Sequence, residues 1–381
     1  MRIVHLPVDL GGHASGLAAA QRALGHEAEA VSLAWSELGF NADRSLDAPQ
    51  GTSGRLRRRE GARWRLLWET LVQADVIHCH FGQTALSVRP YPLLDPTAPG
   101  SRWGERLRQL YARLFWLRDL PLWRSAGKTV AMTFYGDDIR SIAGSVERNA
   151  WSHLAIPSVA GPLLPREALR GELLRAVERH VPLVYATNPD LLETLPTRAR
   201  LLGYTHCDPR RIAPAPWPEA WEELAIVHMP TNRAVKGTDI LVEAVETLRA
   251  EGCPIRLTLV EGRSNAEAVA AIARHHLLFD QLRVGWYGGV AVEAMMLGRP
   301  VAAFLHPRDM ALAPPALAAE LPILPVTVDG CIGTLRALAA TPREALALRG
   351  AQSRAFAERW HDPKLIAQGV IDDYRSAGAP A

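Results

Sequence analysis

The chain has 381 residues, too many for one ordinary core at roughly 150 residues per domain, and its 48% hydrophobic and 22% charged content excludes a disordered or fibrous class. Forty-three basic against 40 acidic residues leave a formal charge of +3, too small for a nucleic-acid binder. Four separated cysteines, Cys79, Cys207, Cys253 and Cys331, form no CxxC pair, which speaks against structural zinc or a disulfide framework and for a reducing cytoplasm.

Met1 runs straight into a strand-like pattern, so no secretory signal is expected. Ile3 to Leu6 predicts a first strand, and Ser15 to Leu24 a helix stopped by Gly25. Further strands are predicted at Ala30–Leu33, at Asp75–His80 with Phe81-Gly82 as its exit, at Thr129–Phe134 leaving through Tyr135 to Asp138, and at Leu183–Thr187. Asn188-Pro189-Asp190 then opens a helix. The longest stretch without Asp, Glu, Lys or Arg, 149–165, holds three prolines and is shorter than the ~20 apolar residues of a spanning helix. Near-continuous apolar strands separated by helices predict a parallel sheet covered on both faces. Pro214 to Pro218 reads as a linker. The rhythm then restarts with strands at Ala225–Met229, Ile255–Val260 and Pro300–Phe304, and helices at Asp239–Arg249 and Val290–Leu297. The tail from Pro342 to Tyr374 is predicted helical. The class is α/β, with two Rossmann-like units in tandem.

Candidate chemistry sits where strands hand over to helices. Asp9 to Gly16 contains Gly11 and Gly12, which let backbone approach a ligand at a helix N-terminus that favours anions. The spacing is not GxGxxG, and the second strand ends at Ser32-Leu33 without an acidic residue for an adenosine ribose, so a dinucleotide cofactor is disfavoured. His228 to Asp239 carries Arg233 and Lys236, a fork and a point charge suited to phosphate. The chain has only three lysines, so Lys236 stands out. Both cations fall on a loop, so each should be removable without unfolding the protein. Gly288, Gly289 and Val290 open a helix whose amides can meet a phosphate. Glu293 follows in its first turns, able to accept from sugar hydroxyls or to partner the helix dipole. No nucleophile-elbow pattern is present.

At these segments, together with Asp75 to Gly82, Thr133 to Arg140 and the tail from Arg354 to Tyr374, the chain resembles the GT-B glycosyltransferases of retaining glycosyltransferase family 4. The resemblance spans both halves. It implies two Rossmann-like domains with parallel sheets facing across a cleft. Residues 1–213 would form the acceptor side, 214–221 a linker, 222–350 the nucleotide-sugar-binding domain, and 351–381 helices crossing back. It implies transfer of a hexose from a nucleotide sugar to a glycan, lipid-linked or small-molecule acceptor, with retention and with neither metal nor organic cofactor. Arg233 and Lys236 would hold the donor diphosphate, with Gly288, Gly289 and Val290 against it and Gly11 and Gly12 facing it. Glu293, matching the second Glu of the E-x7-E motif, would bind the ribose. His13, His80, Tyr135 and Asp137 would line the acceptor side.

Three positions depart from that pattern. Gly285 stands where the first motif Glu is expected, Tyr135 where His is frequent, and Arg233 lies nearer to Lys236 than usual. Asp280, with Gln281, is the candidate replacement for the missing carboxylate. A non-catalytic nucleotide-sugar-binding protein that kept the fold, or a nucleotide-sugar epimerase, are the alternative readings. No Asp-x-Asp occurs, and neighbouring Asp137 and Asp138 diverge on a turn, which favours cationic side chains and helix termini at the leaving group. Arg55, Arg57, Arg58 and Arg59 precede Arg63, Trp64, Arg65 and Trp68, and a second Arg-rich run holds Trp103, Tyr111, Trp116 and Trp123. Such segments suit an anionic membrane surface, predicting a cytoplasmic protein peripheral at the inner face. The competing expectation is that these tryptophans are core.

Overall fold

The computed structural model describes residues 1–33, 40, 42–46, 55–86, 102–218 and 222–380. The first sheet contains β1 (Arg2–Leu6), β2 (Glu27–Ser32), β3 (Arg44–Ser45), β4 (Val76–His80), β5 (Thr129–Phe134), β6 (Leu183–Ala186) and β7 (Arg200–Leu201). Its order is β3-β2-β1-β4-β5-β6-β7, and the strand pairs are parallel. The crossovers hold α1 (His13–Ala23), α2 (Arg55–Gln73), α3 (Arg102–Phe115), α4 (Asp119–Ser125), α5 (Ile142–Arg148), α6 (Pro157–Ala160) and α7 (Leu164–His180). Strand β5 reads TVAMTF and is buried throughout, as expected of a strand covered on both faces.

The second sheet contains β8 (Leu224–His228), β9 (Ile255–Leu259), β10 (Leu277–Phe279), β11 (Val301–Ala303) and β12 (Leu324–Pro325), in the order β12-β11-β10-β8-β9, again parallel. Around it lie α8 (Arg233–Lys236), α9 (Thr238–Ala250), α10 (Asn265–Ala273), α11 (Gly289–Met296), α12 (Pro307–Leu312), α13 (Pro315–Glu320) and α14 (Cys331–Ala339). Helix α9 buries Leu241, Ala244, Val245 and Leu248, one face at helical spacing. Helix α10 opens on a capping box between Ser264 and Glu267.

The predicted helical tail is two helices, α15 (Arg343–Trp360) and α16 (Pro363–Ser376), broken at His361-Asp362 where the Asp362 side chain accepts from the Lys364 amide. Helix α15 packs on α11, while α16 packs on α1 and buries Tyr374. The chain therefore returns to the first sheet at Pro363. Strand β10 has no counterpart among the predicted strands, although it lies between β11 and β8. Its three apolar residues are flanked by His275-His276 and Asp280, too short a run to register as a strand.

Candidate functional site in the cleft

The carboxyl ends of both sheets carry the loops singled out above. Strand β1 leads to Gly11 and Gly12, at φ +60° and +74°. A Cβ on Gly12 would stand 2.6 Å from the Phe40 ring, so that position excludes side chains by space as well as by backbone conformation. The open helix terminus expected here is already engaged. Asp9 Oδ1 accepts from the amides of Ala14 (2.9 Å) and Ser15 (3.3 Å) in the first turn of α1. His13 begins α1, and its Nδ1 accepts the Thr205 amide at 3.1 Å, so the proton sits on Nε2. That buried Nε2 has no partner. Burial pushes the His13 pKa down to about 3, so it is a neutral donor beside Tyr135, ring centroids 5.2 Å apart.

His80 pairs through Nδ1 with the Tyr135 hydroxyl (2.7 Å) and through Nε2 with His5 (2.9 Å). His5 reaches Gln21 (2.8 Å), and His78 joins Thr133 (2.7 Å) to Tyr374 (2.5 Å). His5, His78 and His80 bring ring nitrogens within 4.8 Å of one another, close enough for a three-histidine metal set. Each of their ring nitrogens already has a hydrogen-bond partner, so they form a closed polar network that ties Tyr135 to α16. Burial lowers all three, His5 to about 4. Asp137 faces Arg140 and His153, each at 3.0 Å; burial opposes its charge, but these partners hold it well below the usual carboxylate range. Asp138 instead accepts from the amides of Tyr135 and Gly136, so the two carboxylates do diverge.

Across the cleft, Lys236 is not a free loop cation. Its Nζ lies 2.5 Å from Asp280 Oδ1 and 2.9 Å from Gln281 Oε1, and Asp280 Oδ2 accepts the Gly288 amide at 2.6 Å. The Asp280 side chain is fully buried. This corrects the expectation that Lys236 has no structural duty. Arg233 does lie at the surface and turns to Glu261 at 2.6 Å. Glu293 sits in the second turn of α11, buried, with Asn265 donating to it at 2.5 Å. His206 Nε2 lies 3.4 Å from the same carboxylate.

His206 was not singled out from the sequence. A Cβ on Gly12 would lie 3.4 Å from His206 Cβ, and one on Gly289 would lie 3.2 Å from His206 Cε1. The imidazole thus spans the two glycine sites. Burial opposes its charge, but the Cys207 sulfur and the Glu293 carboxylate hold its pKa well above the usual value. A Cβ on Gly288 would lie 3.3 Å from Lys236 Nζ. The Lys236 ammonium and the His206 imidazole therefore flank Gly288 and Gly289. The available signal was positional: His206 follows the last strand of the first sheet, at the carboxyl end where α/β sheets bind ligands.

The missing motif carboxylate has a different neighbour from the one expected. A Cβ on Gly285 would stand 2.5 Å from Asp309 Oδ2 and 2.6 Å from His306 Cβ. Asp280 and Gln281 are committed elsewhere, Gln281 also donating to the Trp286 carbonyl. Asp309 pairs with Arg148 from the other domain, and His306 Nε2 donates to the Arg148 carbonyl at 3.1 Å. Arg308 adds a 3.0 Å contact to Glu193. Burial pushes the Asp309 pKa up to about 7.

No family model matches the chain, and no curated protein matches it. Solved structures do. Sucrose-phosphate synthase from Thermosynechococcus elongatus aligns over 99% of both chains with a TM-score of 0.60 and 13% identity. HepE of Anabaena, in complex with UDP and glucose, aligns over 99% of this chain and 100% of its own, with a TM-score of 0.57 and 13% identity. WaaG, a glycosyltransferase involved in lipopolysaccharide biosynthesis, aligns over 98% and 99%, with a TM-score of 0.54 and 13% identity. Two facing parallel sheets of seven and five strands, a helix returning to the first domain and these full-length alignments establish that the chain has the GT-B fold.

Proposed function

We propose that the protein transfers a hexose from a nucleotide-sugar donor to an acceptor, with retention of anomeric configuration and with neither a divalent ion nor an organic cofactor. The observation that carries this reading is the pair of basic side chains, Lys236 and His206, flanking the glycines that open α11. Helix amides and basic side chains at one point suit a departing diphosphate. Arg233 swings from Glu261 to join them, and Gly11 and Gly12 face the same point. Glu293 accepts from the donor ribose. The nucleobase lies along the adjoining groove of about 660 Å³, lined by Val260, Glu261 and Ala271. Asp309 supplies the sugar contact that Gly285 lacks. His13 Nε2, Tyr135, His80 and Asp137 line the acceptor side, where a glycan, lipid-linked or small-molecule hydroxyl enters.

The setting this reading carries is the cytoplasm, at the inner face of the membrane. Gly285 and the Arg148–Asp309 pair across the cleft favour one further reading, a protein that binds nucleotide sugars without turning them over. Mass spectrometry of the nucleotide retained by the purified protein, followed by product analysis with that donor, separates the two. Retention of a nucleotide sugar and transfer to an added acceptor support transfer; retention without transfer supports the binding protein; no retention overturns both.

A further inference from the structure

Helices α2 and α3 lie side by side at the surface of the first domain. Trp64 Nε1 donates to the Tyr111 hydroxyl at 2.8 Å and stands edge-on to Phe115, centroids 5.0 Å apart. Their inner faces are core: Leu66 and Leu67 are buried, and Trp123 Nε1 donates to Thr70 Oγ1 at 2.9 Å. The outer faces are apolar too. Trp64, Trp68 and Val72 follow one another at four-residue spacing on α2, Trp68 being 68% exposed. Leu107, Leu110 and Leu114 run at i, i+3 and i+7 on α3, Leu107 being 64% exposed. Single exposed apolar residues are ordinary, but two adjoining stripes at helical spacing mark an interaction surface. No helix among the described residues is long and apolar enough to cross a membrane.

Charge identifies the occupant. Helix α2 carries six arginines against two glutamates, and α3 four against one, a net +7 in a chain whose total is +3. Two copies of this basic helix pair would repel each other. An anionic bilayer offers both a negative plane and an apolar layer beneath it, which a basic helix pair lying flat can use together. We propose that α2 and α3 dock the protein on an anionic lipid bilayer, with Trp68, Val72, Leu107, Leu110 and Leu114 entering the acyl boundary. Helix α2 runs back against the strands, so its N-terminus lies at the carboxyl ends that form the cleft. Arg63 Nη1 accordingly donates to the Ala85 carbonyl, at 3.2 Å, in the loop that leaves β4 after His80. Resting on the transfer reading, this sets the acceptor side of the cleft at the headgroup plane, where a lipid-linked hydroxyl is presented. The docking itself stands without that reading.

The test is vesicle sedimentation at low salt, with phosphatidylglycerol-containing vesicles against pure phosphatidylcholine. Wild type should pellet with the anionic vesicles and be released by high salt. Arg65→Gln with Arg113→Gln should weaken binding about fivefold per charge. Leu107→Ser with Leu110→Ser and Leu114→Ser should abolish it, while thermal melts and calorimetric donor affinity stay at wild-type values, because all these side chains lie outside the cleft. Wild type that ignores anionic vesicles at low salt overturns the docking, as does vesicle binding unchanged by the leucine substitutions. Dimerisation through this face, seen as a leucine-dependent change in sedimentation velocity without vesicle binding, also overturns it in favour of a second copy. Donor binding lost from wild type would count against the transfer reading alone.

Discussion

Lys236 and Arg233 are the two ends of the short helix α8, not of a loop as the sequence predicts, yet they should respond differently to the same truncation. Lys236→Ala removes the partner of Asp280, whose side chain is fully buried. The Gly288 amide still donates to Asp280, but the carboxylate is left without a counter-charge. Stranding one member of a buried ion pair costs about 3–5 kcal/mol, against a total stability of about 5–15 kcal/mol for a typical protein. Arg233 and Glu261 are both exposed, so Arg233→Ala should leave the urea midpoint unchanged. Both variants should weaken a nucleoside diphosphate by roughly tenfold or more in calorimetry, the loss of one charge-assisted contact. The double variant Lys236→Met with Asp280→Asn separates the two duties. It removes both charges, while the side-chain carbonyl that replaces the carboxylate can still accept from the Gly288 amide, so stability should return but donor affinity should not. A Lys236→Ala protein with the wild-type urea midpoint would refute the buried-pair argument. Recovery of donor affinity in the double variant would show that Lys236 acts only by supporting Asp280.

Three other outcomes are open to measurement. Transfer activity should survive excess chelator, because in the proposed function basic side chains and helix amides meet the leaving group; strict dependence on added magnesium or manganese would contradict that reading. Gly285→Ala should lower the urea midpoint without affecting the vesicle docking, because its Cβ would meet the Asp309 carboxylate and the His306 side chain; an unchanged midpoint would mean that this region shifts freely. Asp309 holds its proton up to about pH 7 in the folded state, whereas an unfolded Asp releases it near pH 4. The folded protein therefore binds more protons in that window, and stability should fall as pH rises through it, by up to roughly 4 kcal/mol from this group. Asp309→Asn should flatten that slope in pH-dependent urea melts, and parallel curves for the two proteins would contradict the assignment.

Long apolar strands and amphipathic helices were legible because their patterns are local. Strand β5 lies at the residues its pattern predicts, and α9 begins one residue before the predicted helix and ends one after it. Strand β10 was not legible, since three apolar residues between polar neighbours carry no period. Residue types at the site were readable, but not their commitments. Lys236 meets a carboxylate 44 positions later, and Glu293 an amide 28 positions earlier, pairings that only the folded sheet creates. His206 gains its place because the chain crosses between domains just beyond it. The Arg/Trp segments were readable as a surface, but not which tryptophan faces out. Trp68 and Trp64 do, whereas Trp123 is core and Trp116 packs partly buried against it; the side chain of Trp103 lies outside the described residues.

The proposed seat of the donor diphosphate is the start of α11 at Gly289, between Lys236 and His206. Native mass spectrometry against a panel of nucleotide sugars tests it most directly, with wild type beside His206→Ala. A one-to-one complex with at least one nucleotide sugar is expected, weakened in the variant while its fold is kept. A folded wild-type protein that binds no nucleotide sugar, or a His206→Ala variant that binds as tightly as wild type, would contradict it.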